Sequence, residues 1–281
     1  MIVCINGKFT DEKKATVSVL DNGFLYADGF YDTLRVYNGV LFELSLHLKR
    51  IESTARVMNI PLPHRLEVLS DWLSQIVQKN SLRDARVRMT VTRGAQGRDF
   101  SKAKKPTIVL TCEKLKIRNG SPRVESACTM RFERSEPSRK TLGGLAVLPL
   151  AMRTAKENGC EHAIGIDGNG FVREAATSNV FVVRSGRLLT PKNNILPGLT
   201  RSRVIALARS LKLRVRIKNF KRSLLLSSDE VFLTNRVREI IPIVSVNGKK
   251  IGTGKVGSVT KKLADAYETC VRQYASCTMQ A

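Results

Sequence analysis

The hydrophobic period of this chain changes at Glu43, and few other features constrain its fold as strongly. Ahead of that point, "VCINGKF", "ATVSVLDNGF" and "YADGFYDTLRVYNGVLF" read as short strands with Asn-Gly turn signals, the last a hairpin around Asn38-Gly39. Beyond it, Leu44, Leu48, Ile51, Ala55 and Met58 recur at steps of four, three, four and three, which is one face of an amphipathic helix. Pro61 and Pro63 stop that helix. A chain that makes both kinds of element must bury the stripe of one against the face of the other, so the pattern predicts an α+β fold.

The same patterning continues. A second helix is expected over 65 to 79, "RVRMTVT" alternates as a half-buried strand should, and "PTIVLTCEKL" supplies another. Asn119-Gly120 and Pro122 then fall between apolar segments, which places a linker at 118–123 between an N-terminal domain over 1–117 and a C-terminal domain over 124–281. In the second domain, "HAIGIDGNGFVREAATSNVFVVRSGRLLTP" reads as strands separated by a Gly-rich turn and a second turn. "GLTRSRVIALARSLKL" reads as a helix and "DEVFLTN" as a strand that runs into a loop. A length of 281 residues suits two such domains with mixed sheets, and clefts between domains are common ligand sites.

Forty-eight Lys and Arg against 24 Asp and Glu give a formal net charge of +24, a field that attracts anions. The basic residues are scattered along the whole length, so a solvated basic surface is favoured over a dedicated nucleic-acid arm. The six cysteines show no CxxC pair and no ligand spacing with histidine, which predicts reduced thiols and no metal site. No apolar run is long enough to span a membrane, and a cytoplasmic address is the default expectation.

Four places could carry chemistry. Lys140 precedes "TLGGLAVLPLAM", where partial desolvation would favour a neutral amine able to form a Schiff base, although a lone lysine is far more often a surface charge. In "LPGLTR" the helix after Pro197-Gly198, with Thr200 as N-cap, offers unpaired N–H groups to an anion; by itself such a start is usually an ordinary capped helix. Glu174 could hold a proton on a heterocyclic nitrogen, or pair with Arg173 beside it. "FLTNR" ends a strand in Thr234, Asn235 and Arg236, all donors. An amine, a phosphate anchor and a carboxylate are together what pyridoxal phosphate requires.

With those motifs in that order, and with "HLKRI", "SRKTLGG", "AMRTAKENGCEHAIGIDGNGFVREAATSNVFVV" and "GKVGSVTKKL" around them, the chain resembles the fold-type IV pyridoxal-phosphate enzymes along nearly its whole length. These include branched-chain and D-amino acid aminotransferases and aminodeoxychorismate lyase. The resemblance implies a two-domain α+β fold with pyridoxal 5'-phosphate at the domain interface and a homodimer. It implies that Lys140 forms the internal aldimine and shuttles the proton, that Glu174 faces the pyridine nitrogen and that Arg50 grips the phosphate. It implies further that Leu199 and Thr200 complete the phosphate cup, with Asn235 and Arg236 as further contacts. Arg236 departs from the small hydroxylic residue usual there and adds a cation.

Within the family, Tyr31 and Arg98 match the substrate contacts of D-amino acid aminotransferases, while Phe100 replaces the histidine usual two positions after that arginine. The expected activity is transfer of an amino group between an amino acid, D- or branched-chain L-, and a 2-oxo acid. The alternatives are a 4-amino-4-deoxychorismate lyase releasing pyruvate, since "TRGAQGRDFS" and "FLTNR" are similar to lyase motifs, and a non-catalytic relative that binds anions or nucleic acid. His47, Trp72 and the apolar residues around 142 to 150 read as structural.

Overall fold

Asn6-Gly7 and Asn38-Gly39 each adopt two successive positive φ angles, the geometry of a two-residue hairpin turn. They join β1 (Ile2–Ile5) to β2 (Lys8–Asp11) and β3 (Gly29–Tyr37) to β4 (Val40–Leu41). The computed structural model describes residues 1–62, 64–101, 103, 105–115, 124–133 and 136–279; the expected linker at 118–123 lies outside them. The other strands are β5 (Ala85–Thr92), β6 (Thr107–Lys114), β7 (Glu125–Arg131), β8 (His162–Ile166), β9 (Val172–Ala175), β10 (Ser178–Arg184), β11 (Arg187–Thr190), β12 (Arg214–Ile217), β13 (Glu230–Asn235), β14 (Glu239–Val246) and β15 (Lys249–Lys250). The helices are α1 (Asn22–Tyr26), α2 (Leu44–Val57), α3 (Leu66–Lys79), α4 (Val147–Glu157), α5 (Leu199–Ser210), α6 (Arg222–Leu226) and α7 (Ser258–Met279).

The chain divides into two units. Unit 1 comprises Met1–Arg118, Arg139–Gly143 and Val271–Ala281, and unit 2 comprises Asn119–Ser138 and Gly144–Cys270. The segment carrying Lys140 therefore groups with the N-terminal strands and not with the residues that follow it, a difference from a division by chain order.

In unit 1 the order β2-β1-β6-β5-β3-β4 is antiparallel throughout. Period-2 alternation sends Phe30, Leu34 and Val36 of β3, and Val87, Met89 and Val91 of β5, into a core with Leu48 and Ile51 of α2 and Leu69, Leu73 and Ile76 of α3. Each such side chain contributes about 1.5–3 kcal/mol on burial. The alternate residues Tyr31 and Arg88 lie on the other face of the sheet. "ATVSVLDNGF" does not form the expected strand. Its buried Asp21 accepts hydrogen bonds from the Gly23 amide at 2.7 Å and from the Thr92 and Thr107 hydroxyls, so Asn22-Gly23 opens α1 instead of a hairpin.

Unit 2 holds the mixed sheet. Its path runs β12-β11-β10-β13-β14-β7-β8-β9, with β15 on β14, and β9 also pairs with β10. Strands β7, β8, β9, β10, β13 and β14 thus close a ring, which removes open edges around its core of Ile164, Val172, Val180, Val182, Leu233, Ile241 and Ile243. Helix α4 packs Ala151 and Ala155 against Cys128 and Ala163, leaving Leu150 exposed. Of the large apolar residues around 142 to 150, read as structural, Leu142, Leu145, Val147 and Leu148 are half-buried and Leu150 is exposed.

Candidate active site

In unit 1 the Lys140 segment lies against the start of β3. The Tyr31 amide donates to the Lys140 carbonyl at 2.9 Å, Leu142 donates to the Gly29 carbonyl at 2.9 Å, and Phe30 bridges Thr141. Gly29 makes this approach possible, because a Cβ there would stand 2.4 Å from the Val91 carbonyl oxygen and 2.9 Å from Leu142 Cδ1. The half-buried Lys140 projects its Nζ to 4.4 Å from the centroid of the Tyr31 ring. Arg88 stacks on the same ring, its Cζ 4.2 Å from the centroid. Burial pulls the Arg88 guanidinium below its ordinary pKa, with Tyr31 opposing the shift. Tyr31, Lys140 and Arg88 are therefore assembled on one aromatic platform. Arg98 is exposed on the loop after β5, and Phe100 packs edge-on against Tyr26.

Arg50 is preorganised on the helix-covered face of the same sheet. Asp32 points into that face, where a bare carboxylate would be costly. It is met by Arg50 through Nε at 2.8 Å and Nη2 at 2.6 Å, and by His47 Nδ1 at 3.0 Å. Burial works to raise the Asp32 pKa, but the charges and hydrogen bonds of His47 and Arg50 overcome it and hold the group far below the carboxylate range. Asp32 engages one edge of the guanidinium, and 16% of the Arg50 side chain remains exposed. The structural reading of His47 agrees with this arrangement.

Unit 2 brings together Glu174, the start of α5 and the end of β13. Arg173 turns to Asp167, which also accepts from the amides of Asn169 and Phe171, so the alternative of an Arg173–Glu174 pair is not what forms. Glu174 is 3% exposed, and its Oε2 accepts from Asn179 Nδ2 at 3.1 Å and from the Leu196 amide at 3.0 Å. Helix α5 begins at Leu199 with Gly198 as N-cap, without a side-chain cap or an acidic residue in the first turn. Thr200, expected as the cap, instead sits buried one position inside the helix. Gly198 approaches Asn179 too closely for a side chain to lie between them, and that contact sets the helix start. The amides of Leu199, Thr200 and Arg201 have no carbonyl a turn behind them, so the helix presents donors to an anion.

Asn235 builds the turn into β14. Its Nδ2 donates to Ser178 Oγ at 2.9 Å, and its Oδ1 accepts from the amides of Val237 and Arg238. Arg236 lies in that turn and is buried, and Thr234 Oγ1 is a buried hydroxyl with no hydrogen-bond partner among the described residues. The turn is tied further by Arg238, which donates to the buried Glu125 that also binds His162.

Sequence reasoning missed Asp32, Arg88 and Asn179. A signal existed for Asn179, because a two-residue hairpin at Ala176-Thr177 places it opposite Glu174. Asp32 and Arg50 are 18 residues apart on different elements, which no local period reports. Among the described residues there is no cluster of three or more His, Cys, Asp or Glu side chains able to hold a metal. No helix among them is long and apolar enough to cross a membrane.

Comparison with known proteins identifies the family. The family model for amino-transferase class IV matches residues 29–246. A Methanocaldococcus jannaschii protein provisionally named branched-chain-amino-acid aminotransferase is 36% identical over 95% of this chain and 96% of its own length. The D-alanine aminotransferase of Bacillus licheniformis is 30% identical over 96% and 97%. Among solved structures, the branched-chain amino acid aminotransferase of Escherichia coli shares 26% identity and superposes with a TM-score of 0.89 over 95% of this chain and 93% of that one. Another branched-chain amino acid aminotransferase, solved with pyridoxamine 5'-phosphate, shares 25% identity with a TM-score of 0.91 over 96% and 93%. An α+β fold of this type and motifs in this order leave one conclusion: the chain belongs to the class IV aminotransferases, enzymes that depend on pyridoxal phosphate.

Proposed function

We propose that this aminotransferase moves an amino group from a D-amino acid or a branched-chain L-amino acid to a 2-oxo acid. The observation that carries the reading is the buried Glu174 carboxylate, bonded to the Leu196 amide just ahead of the open first turn of α5. Two neighbouring elements of unit 2, β9 and α5, thus offer a carboxylate for a ring nitrogen and amide donors for a phosphate. The donor set fits pyridoxal phosphate. Leu199 and Thr200 would hold the phosphate with Arg50, Asn235 and Arg236 contributing, Glu174 the ring nitrogen and Lys140 the aldehyde carbon through a Schiff base. The orphaned Thr234 hydroxyl beside Asn235 is a further donor awaiting an acceptor.

Bound pyridoxal phosphate supplies an electron-withdrawing ring that acidifies the donor's Cα–H. The protein's part is placement. Lys140 Nζ would take the donor's Cα proton and hand it back two atoms along, to the carbon on the far side of the donor nitrogen. Tyr31 supports the amine from below, Arg88 offers a half-buried cation to a donor carboxylate, and Arg98 is the more exposed candidate for that role. Glu174 would hold the ring nitrogen in its protonated form, so its loss is expected to slow chemistry more than binding.

The test is an absorbance-monitored screen of amino donors with the purified, cofactor-loaded protein. Donor-dependent bleaching that a 2-oxo acid reverses is the expected result. Pyruvate release from aminodeoxychorismate without any oxo acid would establish the lyase alternative instead, and salt-sensitive duplex binding without a chromophore would establish the non-catalytic one.

The same reading includes a cytoplasmic homodimer. Val19, Leu20 and Phe24 are 70%, 64% and 75% exposed in one short stretch that also exposes Val17, Leu25 and Tyr26, an apolar surface that a second copy of this chain would cover. Sedimentation is expected to give twice the chain mass. Phe24→Asp with Val19→Asp is expected to shift the species toward monomer; a wild-type monomer at micromolar concentration overturns the assignment.

A further inference from the structure

Asn179 is a buried amide at the meeting point of three strands. It pairs in register with Glu174 on β9 and with Thr234 on β13, and the residue is 5% exposed. Its Nδ2 donates to Glu174 Oε2 at 3.1 Å and to the Leu196 carbonyl at 2.8 Å. The Leu196 amide donates to that same Oε2 at 3.0 Å, and the Leu196 carbonyl also accepts from Gly198 at 2.8 Å. The three groups close a hydrogen-bonded circuit. On its other side, Asn179 Oδ1 lies so near Gly198 that a Cβ there would be 2.1 Å away.

We propose that Asn179 is a positioning residue that locks the Glu174 carboxylate and the N-terminus of α5 into one register, so that the ring nitrogen and the phosphate of the cofactor are gripped at a fixed separation. The inference rests on the aminotransferase reading above. The chemistry requires an amide at this position. Both Nδ2 protons are given to acceptors, which a carboxylate cannot do, and a carboxylate would stand against Glu174 with like charge. A shorter side chain would leave the Glu174 oxygen and the Leu196 carbonyl each short of a donor inside the protein. Gly198 completes the arrangement, because any side chain there would push the amide off both acceptors.

The experiment compares wild type with Asn179→Ala and Asn179→Asp, each alone and combined with Glu174→Gln. Three quantities are measured: the dissociation constant of pyridoxal phosphate, the pH midpoint of the bound cofactor's visible band, and the melting temperature of the cofactor-free protein. Asn179→Ala is expected to weaken cofactor binding by about tenfold and to move the band's midpoint, as expected when one hydrogen bond to a buried charged group is lost. Asn179→Asp is expected to weaken binding further as pH rises, because two carboxylates then share one site. In the Glu174→Gln background the effect of Asn179→Ala on the midpoint is expected to vanish. Variants that lower the melting temperature but leave dissociation constant and midpoint at wild-type values overturn the proposal, as does an unchanged effect in the Glu174→Gln background. Should Asn179→Asp not fold, Asn179→Ala alone decides the matter. Wild type that takes up no pyridoxal phosphate would sink the aminotransferase reading itself, whereas loaded wild type matched by its Asn179 variants sinks only the role given to this amide.

Discussion

Lys140→Ala is expected to lower kcat by about 10²–10⁴-fold, the usual contribution of a positioned proton-transfer group, and to remove the visible band of the loaded enzyme. The fold should survive, because backbone bonds from Tyr31 and to Gly29 hold the segment. Cofactor held by phosphate contacts alone should still bind, more weakly. Small amines added to the medium are expected to restore part of the activity, since they supply the missing base without altering the pocket. Borohydride treatment followed by peptide mass analysis gives the independent check: wild type carries a pyridoxyl label on the Lys140 peptide and the variant carries none. A label on another lysine, or unchanged turnover in Lys140→Ala, would overturn the assignment.

Asp32→Ala is expected to destabilise unit 1 by about 3–5 kcal/mol, the cost of breaking a buried ion pair and stranding its partner. Arg50 and His47 both lose their hydrogen bonds to Asp32, and His47 is fully buried. The pH dependence has a definite sign. The native Asp32 pKa is depressed, so its contribution is complete above the unfolded value of about 4 and declines as pH falls from there toward the native value. Urea denaturation should therefore separate wild type from Asp32→Ala widely at pH 7 and less at pH 3. A gap independent of pH would show that packing, and not the ion pair, accounts for the loss. Cofactor affinity should fall in the same variant, because Arg50 is then no longer oriented.

Much of the architecture was legible because it is local. The steps of four and three from Leu44 to Met58 gave α2 within a residue at either end, and the Asn-Gly pairs at 6–7 and 38–39 form the hairpins that their positive φ angles require. The third such pair, Asn22-Gly23, misled for a physical reason. Asp21 before it is buried, and a buried carboxylate takes the nearest amide, which starts a helix. The exposed apolar residues 17, 19 and 20 carry a strand-like composition with no sheet partner among the described residues. Lys140, Glu174, Arg50 and Thr200 were nameable through the resemblance that the order of the motifs carries, whereas Asp32 and Arg88, their partners across the sheet, were not.

By itself the amino-acid sequence determined the helices and strands whose period is plain, the tight turns at Asn6-Gly7 and Asn38-Gly39, and which residue types stand ready for the chemistry. Only the tertiary structure decided that Arg173 goes to Asp167 and leaves Glu174 to Asn179 and Leu196. It alone decided that Asp32 orients Arg50 and that the Lys140 segment joins the sheet of β3. The reason is the range of the interactions involved. Periodicity and turn preference act over a few residues, whereas the hydrogen-bond partner of a buried polar group is whichever donor the folded chain brings to it.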